Sequence, residues 1–273
     1  MPAQTPTARF SRPSGRTRIL AVCAAPVVAL FAVAAFVPLP FSLAQPGSTV
    51  NVLGADKGKP VITVDGAGTR PTSGELRMTT IVATGPHVDV SLADVVRGWF
   101  RSDRAVMPRD SVYPVGDSDQ EVSEHNAAEM KQSQDAASQA ALRYLRKSPK
   151  DVKVGLSLAD IGGPSAGLLF TLGIIDKVDG DGRGGDLTGG RTIAGTGTIA
   201  PDGTVGAVGG VPLKTQAARR DGATVFLVPK AECSDARANL PKGLRLVPVK
   251  KLDDAVTSLR ALASGQEDKV PAC

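Results

Sequence analysis

Histidine is nearly absent from these 273 residues, with only His87 and His125 present, and aromatic residues make up just 4%. A serine activated by imidazole needs a histidine within reach. Both histidines lie well upstream of the Gly/Ser motif described below. His125, among Glu124, Asn126 and Glu129, reads as a solvated residue on a polar helix. A Ser/His/Asp triad is therefore not expected. No basic stripe carries interleaved aromatics, which argues against a nucleic-acid partner. The formal charge of +5 is local: Arg9, Arg12, Arg16 and Arg18 occupy an N-terminal stretch without an acid, and removing them leaves +1 for the chain after residue 50. Hydrophobic residues at 42% are enough for a core.

Long apolar runs are confined to one place. Ile19 to Val37, continuing through Pro38 to Ala44, carries no charge and has the length a bilayer-spanning helix requires. Arginines precede it and none follows closely, which places the N-terminus in the cytoplasm and the remaining chain outside. The alternative is a cleaved signal peptide, because Ser42-Leu43-Ala44 has small residues at a signal-peptidase spacing. A signal peptide's apolar region spans about 7–15 residues, and this longer run favours an uncleaved anchor. Both readings export the domain. Cysteine is also scarce: Cys23 falls in the apolar run, while Cys233 and Cys273 would meet an oxidising compartment. A Cys233–Cys273 disulfide tethering the C-terminal tail is the expectation, with two unpaired thiols as the alternative.

The rest of the chain alternates strand and helix signals. Val50–Leu53, Val61–Val64 and Leu76–Ala83 read as strands. Ser91 with Asp94 forms a capping box, after which Leu92, Val95, Val96, Trp99 and Phe100 share one helical face expected in the core. Ser118 with Glu121 opens a helix to about Arg146, striped by Met130, Ala137, Ala141 and Leu145. Val152–Leu158 is a strand, and Pro164 starts a helix that buries Leu168, Leu169, Leu172 and Ile175. Beyond the Gly180–Gly190 loop, strands are expected at Thr192–Ala200, Thr224–Val228 and Leu244–Val247. Helices are expected at Leu213–Arg220 and through Leu252, Val256, Leu259 and Leu262. Such alternation implies a mixed α/β fold. The expected organisation is a basic tail at 1–18, an anchor at 19–44, a smaller α/β segment at 45–150, a second α/β domain at 151–265 and a tail at 266–273.

One stretch carries chemistry. Gly162-Gly163-Pro164-Ser165-Ala166-Gly167 sets a hydroxyl at a helix N-terminus, where glycines admit a substrate backbone and free amides can bind an anion. Alone, it could be only a helix start. A second block, Thr196-Gly197 followed by Gly203-Thr-Val-Gly-Ala-Val-Gly-Gly210, precedes Lys214 by four residues, and Ala217-Ala218 to Pro229 continues the pattern. Together these blocks, between about Val152 and Leu262, resemble the Lon family of serine peptidases. Anchored Lon-like proteins of Gram-positive bacteria share the plan, often with a PDZ module, for which Leu145 to Val152 leaves no room.

The resemblance implies a Lon proteolytic-domain fold and a membrane-anchored, ATP-independent serine endopeptidase acting on exported polypeptide. It assigns Ser165 as nucleophile and Lys214 as general base. Amides near Gly163, Ser165 or Ala166 would hold the oxyanion, and Thr196 would bond near the lysine. A hexameric homo-oligomer is expected by the same resemblance. Lys214 would have to be kept neutral by burial, and no acid lies between Asp202 and Asp221 to hold it charged locally. Many Lon enzymes carry an acid three residues before the serine; here Gly162 stands there, with Asp160 out of register.

Two other motifs lack required residues. In Gly209-Gly-Val-Pro-Leu-Lys-Thr215, Leu213 occupies the glycine slot of a phosphate loop, so no nucleotide is expected. Asp179, Asp181 and Gly184 begin like a calcium loop, but Arg183 and Gly190 replace two ligands, so neither metal nor other cofactor is expected. The competing function is a non-catalytic Lon-fold scaffold at the membrane surface, and a third reading is a peptidase limited to cutting itself.

Overall fold

The computed structural model describes residues 15–113, 118–158 and 163–273. In chain order the helices are α1 (Gly15–Phe36), α2 (Leu92–Trp99), α3 (Arg109–Val112), α4 (Asp119–Tyr144), α5 (Gly167–Val178), α6 (Val211–Arg220), α7 (Cys233–Arg237) and α8 (Leu252–Ala263). The strands are β1 (Phe41–Asn51), β2 (Ala55–Asp56), β3 (Lys59–Pro60), β4 (Ile62–Asp65), β5 (Glu75–Ala83), β6 (Ala105–Pro108), β7 (Lys153–Leu156), β8 (Thr192–Gly195), β9 (Thr198–Ile199), β10 (Val205–Gly206), β11 (Val225–Pro229) and β12 (Arg245–Val249).

Six strands form the central sheet in the order β12-β11-β8-β5-β1-β6. β12, β11, β8 and β5 run parallel, whereas β1 is antiparallel to both β5 and β6. In the parallel half, side chains are buried on both faces. Along β11, Val225 and Leu227 join the larger core with α5 and α8, while Phe226 and Val228 join a second core with α6 and α7. This is the period-two alternation of a strand covered by helices on each side. α5 is apolar all round because the sheet, α4 and β4 enclose it: Leu168, Leu169, Phe170, Leu172, Ile174 and Ile175 are all fully buried. Asp176 on the same helix is buried too, and desolvation pushes its pKa up to about 6. Its Oδ1 accepts from the Leu187 amide at 2.7 Å, with the Arg70 guanidinium 3.7 Å away.

Four expectations need correction. The apolar run does not continue as one element to Ala44, since α1 ends at Phe36 and residues Phe41–Ala44 begin β1, paired with Ala105–Pro108. A cut after Ala44 would remove the residues that hold β6 to the sheet. Separately from these corrections, the side chains at positions 17 and 34–36 of α1 lie outside the described residues, and among the described residues alone no helix is long and apolar enough to cross a membrane. Residues 45–150 and 151–265, expected as successive segments, share one sheet: β6, β1 and β5 form one half and β8, β11 and β12 the other, joined by the parallel pairing of β5 with β8. Finally, α2 does not bury its apolar face: Val95 is buried, but Trp99 and Phe100 are 74% and 87% exposed. The strand expected at Thr192–Ala200 is interrupted after Gly195, where Gly197 turns the chain out of the sheet.

Cys233 and Cys273 are joined by a disulfide across 40 residues and pack against the second core. Cross-linking a loop of that length removes entropy from the unfolded chain. Cys273→Ser is expected to lower unfolding stability by about 4 kcal/mol. Urea titrations of the two proteins check this, and the difference should vanish when both are reduced.

Candidate active site

Two backbone interruptions build the site. The first is the Gly163 turn, with φ +91°, which leads into a short 3-10 turn at Pro164–Ala166 and then α5. Buried Ser133 of α4 donates to the Pro164 carbonyl at 2.9 Å, fixing the turn from outside. α4 can come that close because residue 167 is glycine: a Cβ there would meet Ser133 Oγ and Ile199 Cγ2, each at 2.9 Å. The second is the break between β8 and β9. Gly197, with φ +152°, turns the chain out of the sheet; its amide donates to the Ser165 carbonyl at 3.0 Å, and its carbonyl accepts from Leu168 at 3.1 Å. The break ties the Ser165 turn to the strand carrying Thr196.

Lys214 lies in the first turn of α6, which starts from Gly210 without a side-chain cap. The lysine is 4% exposed. Its Nζ donates to Thr196 Oγ1 at 3.2 Å, and Thr196 Oγ1 lies 3.4 Å from the Ser165 carbonyl. A pocket of about 100 Å³ is lined by Met78, Thr80, Ile81, Met130, Gly163, Ser165, Ala166 and Lys214. The serine and the lysine therefore face one small cavity. Among the described residues no hydrogen bond joins the Ser165 hydroxyl to the Lys214 amine. Asp160 and Gly162 lie outside the described residues.

Burial is the main cause that lowers the Lys214 pKa, from 10.5 to about 8, and the negative charge of Glu232 opposes it. The positive end of α6 also disfavours an ammonium in the first turn. No acid lies between Asp202 and Asp221, but the fold brings Glu232 to the lysine from outside that stretch. It comes from the turn after β11, 18 residues beyond Lys214 in sequence, is itself buried, and accepts from the Val208 amide at 3.0 Å. Burial raises the Glu232 pKa, while the Val208 bond and Lys214 pull it down. No local spacing signals this contact, because it depends on the crossover from α6 through β11.

The remaining expected site residues fall as follows. Thr196 contacts the lysine. The Gly163 amide is not free, since it donates to the Asn126 carbonyl at 3.1 Å, so it is removed from the set of oxyanion donors. Ser165 and Ala166 remain at the start of the 3-10 turn, where amides have no partner within the helix. His125 on α4 pairs loosely with Glu129 at 3.5 Å and does not line this pocket. Met130 was legible only as part of a helix stripe, and no sequence signal singled out Ser133.

A family model of the Lon protease (S16) C-terminal proteolytic domain matches residues 123–261. The chain belongs to this family. The match begins earlier than the sequence blocks suggested and takes in most of α4, consistent with the grip of Ser133 on the Pro164 turn. Among curated proteins, Lon protease 1 of Myxococcus xanthus is 30% identical over 148 residues, covering 48% of this chain. The aligned stretch spans only 17% of that relative's length.

The buried amine has a sign-definite effect on stability. Between pH 8 and 10.5 the unfolded chain holds the Lys214 proton more tightly than the folded one, so folding becomes more favourable as pH rises through that window. Relative to Lys214→Met, the protein should gain on the order of 3 kcal/mol from pH 8 to 10.5. Denaturant unfolding of both proteins at these two pH values measures it.

Proposed function

We propose that this chain is a serine endopeptidase in which Ser165 attacks a peptide carbonyl and neutral Lys214 takes the hydroxyl proton. The observation that carries this reading is a lysine buried to 4% exposure in the same small pocket as a serine at a helix start. With a pKa near 8, roughly a tenth to a fifth of the amine is neutral between pH 7 and about 7.4, far more than for an unperturbed lysine, as a general base requires. Thr196 Oγ1 holds the amine in place. The Ser165 or Ala166 amide, unlike that of Gly163, stabilises the oxyanion. The leaving amine takes the proton back from Lys214, and water then releases the acyl group from Ser165 by the reverse sequence.

A groove of about 920 Å³ fits an extended polypeptide. It runs between α4 and residues 154–158, and Met130 lines both it and the small pocket. β7 pairs with β4 on one edge; the groove wall includes its Val154 and Leu156, which leaves the other edge to pair with a substrate strand. Nucleotide has no role in this proposal, because residues 209–215 are not an open phosphate cradle but the start of α6 with Leu213 and Lys214 buried. An extracytoplasmic location with α1 as anchor is part of the same proposal. The disulfide supports it, as do the exposed apolar side chains of α1 from Ile19 to Val33.

A fluorophosphonate probe tests the chemistry. Full-length protein is expected to label at Ser165, Ser165→Ala not at all, and Lys214→Ala slower by about 10²–10⁴-fold. Absence of labelling in the unmutated protein would favour the scaffold reading. Labelling and casein cleavage should both rise with pH through about 8, since only the neutral amine accepts the proton. Glu232→Gln removes the charge that favours the ammonium, so this limb should move to lower pH; a shift to higher pH contradicts the electrostatic role assigned to Glu232.

A further inference from the structure

Trp99 and Phe100, at the end of α2, are the most exposed large apolar side chains in the folded domain, at 74% and 87%. Val96 one turn earlier is exposed as well, as is Val88 before the helix. Adjacent aromatic rings left in water are unusual on a domain in which Phe170 and Phe226 are fully buried and Phe41, Tyr113 and Tyr144 half-buried. Their position in the fold is informative. Leu39, three residues beyond α1, bridges to Val90, two residues before α2, with the Leu39 amide donating to the Val90 carbonyl at 2.9 Å. α1 and α2 also touch. The aromatic pair is therefore on the element stitched to the point where α1 enters the domain.

The surrounding charge is mixed and sums to +1, three arginines against two aspartates. Arg97, Arg101 and Arg104 are exposed around the rings, while Asp94 and Asp103 are tied to Arg97 at 3.1 Å and to Arg101 at 2.7 Å. Arg104 adds a positive charge to these two pairs. Indole and phenyl rings flanked by arginine suit the boundary between lipid headgroups and acyl chains: the rings enter the apolar side, the indole N–H reaches headgroup oxygens, and guanidinium groups meet phosphates.

The geometry points to the Val96–Arg104 surface as a lipid-docking patch that seats the domain on the bilayer holding α1, with Trp99 and Phe100 inserted at the headgroup boundary. This rests on α1 being the membrane anchor. It fixes how the domain stands relative to the membrane, which a helix followed by a free linker would not.

Trp99 is the only tryptophan in the chain, so its fluorescence reports this patch alone. Full-length protein is reconstituted in vesicles containing anionic lipid, with acyl chains brominated either near the headgroup or near the bilayer centre. Vesicle flotation is measured on the same samples. The expected result is co-flotation and loss of roughly half the Trp99 emission with the shallow bromines, with little loss from the deep ones. Phe100→Ser combined with Arg104→Glu, both at exposed positions, should restore most of that emission without releasing the protein from the vesicles. Co-flotation with Trp99 quenched by aqueous iodide, not by bromolipid, overturns the docking patch and leaves the anchor standing. Co-flotation with Trp99 shielded from both quenchers also overturns it, in favour of a protein neighbour or a second copy on the patch. Failure to co-float removes the anchor and the patch together.

Discussion

The seating of one lysine amine in a buried pocket is the constraint on which the site depends. Lys214 is set on the first turn of α6 by the start at Gly210, and Thr196, at the β8–β9 break, accepts from its amine. Gly197 makes that break possible and at the same time holds the Ser165 carbonyl. The two glycine-rich blocks are therefore physically one unit: each supplies the backbone bend that the other's side chain needs. Loss of either bend would leave both side chains intact and the pocket undone.

Electrostatics around the amine are balanced rather than one-sided. Burial and the start of α6 push the proton off, and Glu232 holds it on. The carboxylate is itself fastened to the Val208 amide, so it also ties the turn after β11 to the loop that leads into α6. Cys233 follows it directly and is bonded to Cys273, so the C-terminal tail is anchored beside the same turn. Stability of the tail and the setting of the lysine thus share a short stretch of chain.

Much of the site was legible because its chemistry is encoded locally. GGPSAG specifies a glycine turn and a helix start, and the spacing from Gly210 to Lys214 specifies a lysine on the first turn of the next helix. The capping boxes at Ser91 and Ser118 form as expected. What failed has a common cause. The amphipathic pattern of Leu92 to Phe100 predicts a buried face, yet a pattern says only that a face is apolar, not that another element will cover it. Val95 found cover and Trp99 did not. The run to Ala44 reads as continuous because apolar residues suit both a helix and a buried strand. Pairing with Ala105–Pro108 decided for the strand from Phe41 onward.

By itself the sequence determined the family, the α/β alternation and the serine and lysine that share the pocket. These depend on residue types and short spacings, which do not change with the path of the chain. Tertiary structure alone decided that segments on either side of residue 150 share one sheet, that Ser133 grips the Pro164 turn, that the Gly163 amide is already engaged, and that Glu232 faces the lysine. Each joins groups separated by 18 residues or more, and such contacts exist only once the sheet order brings their elements together.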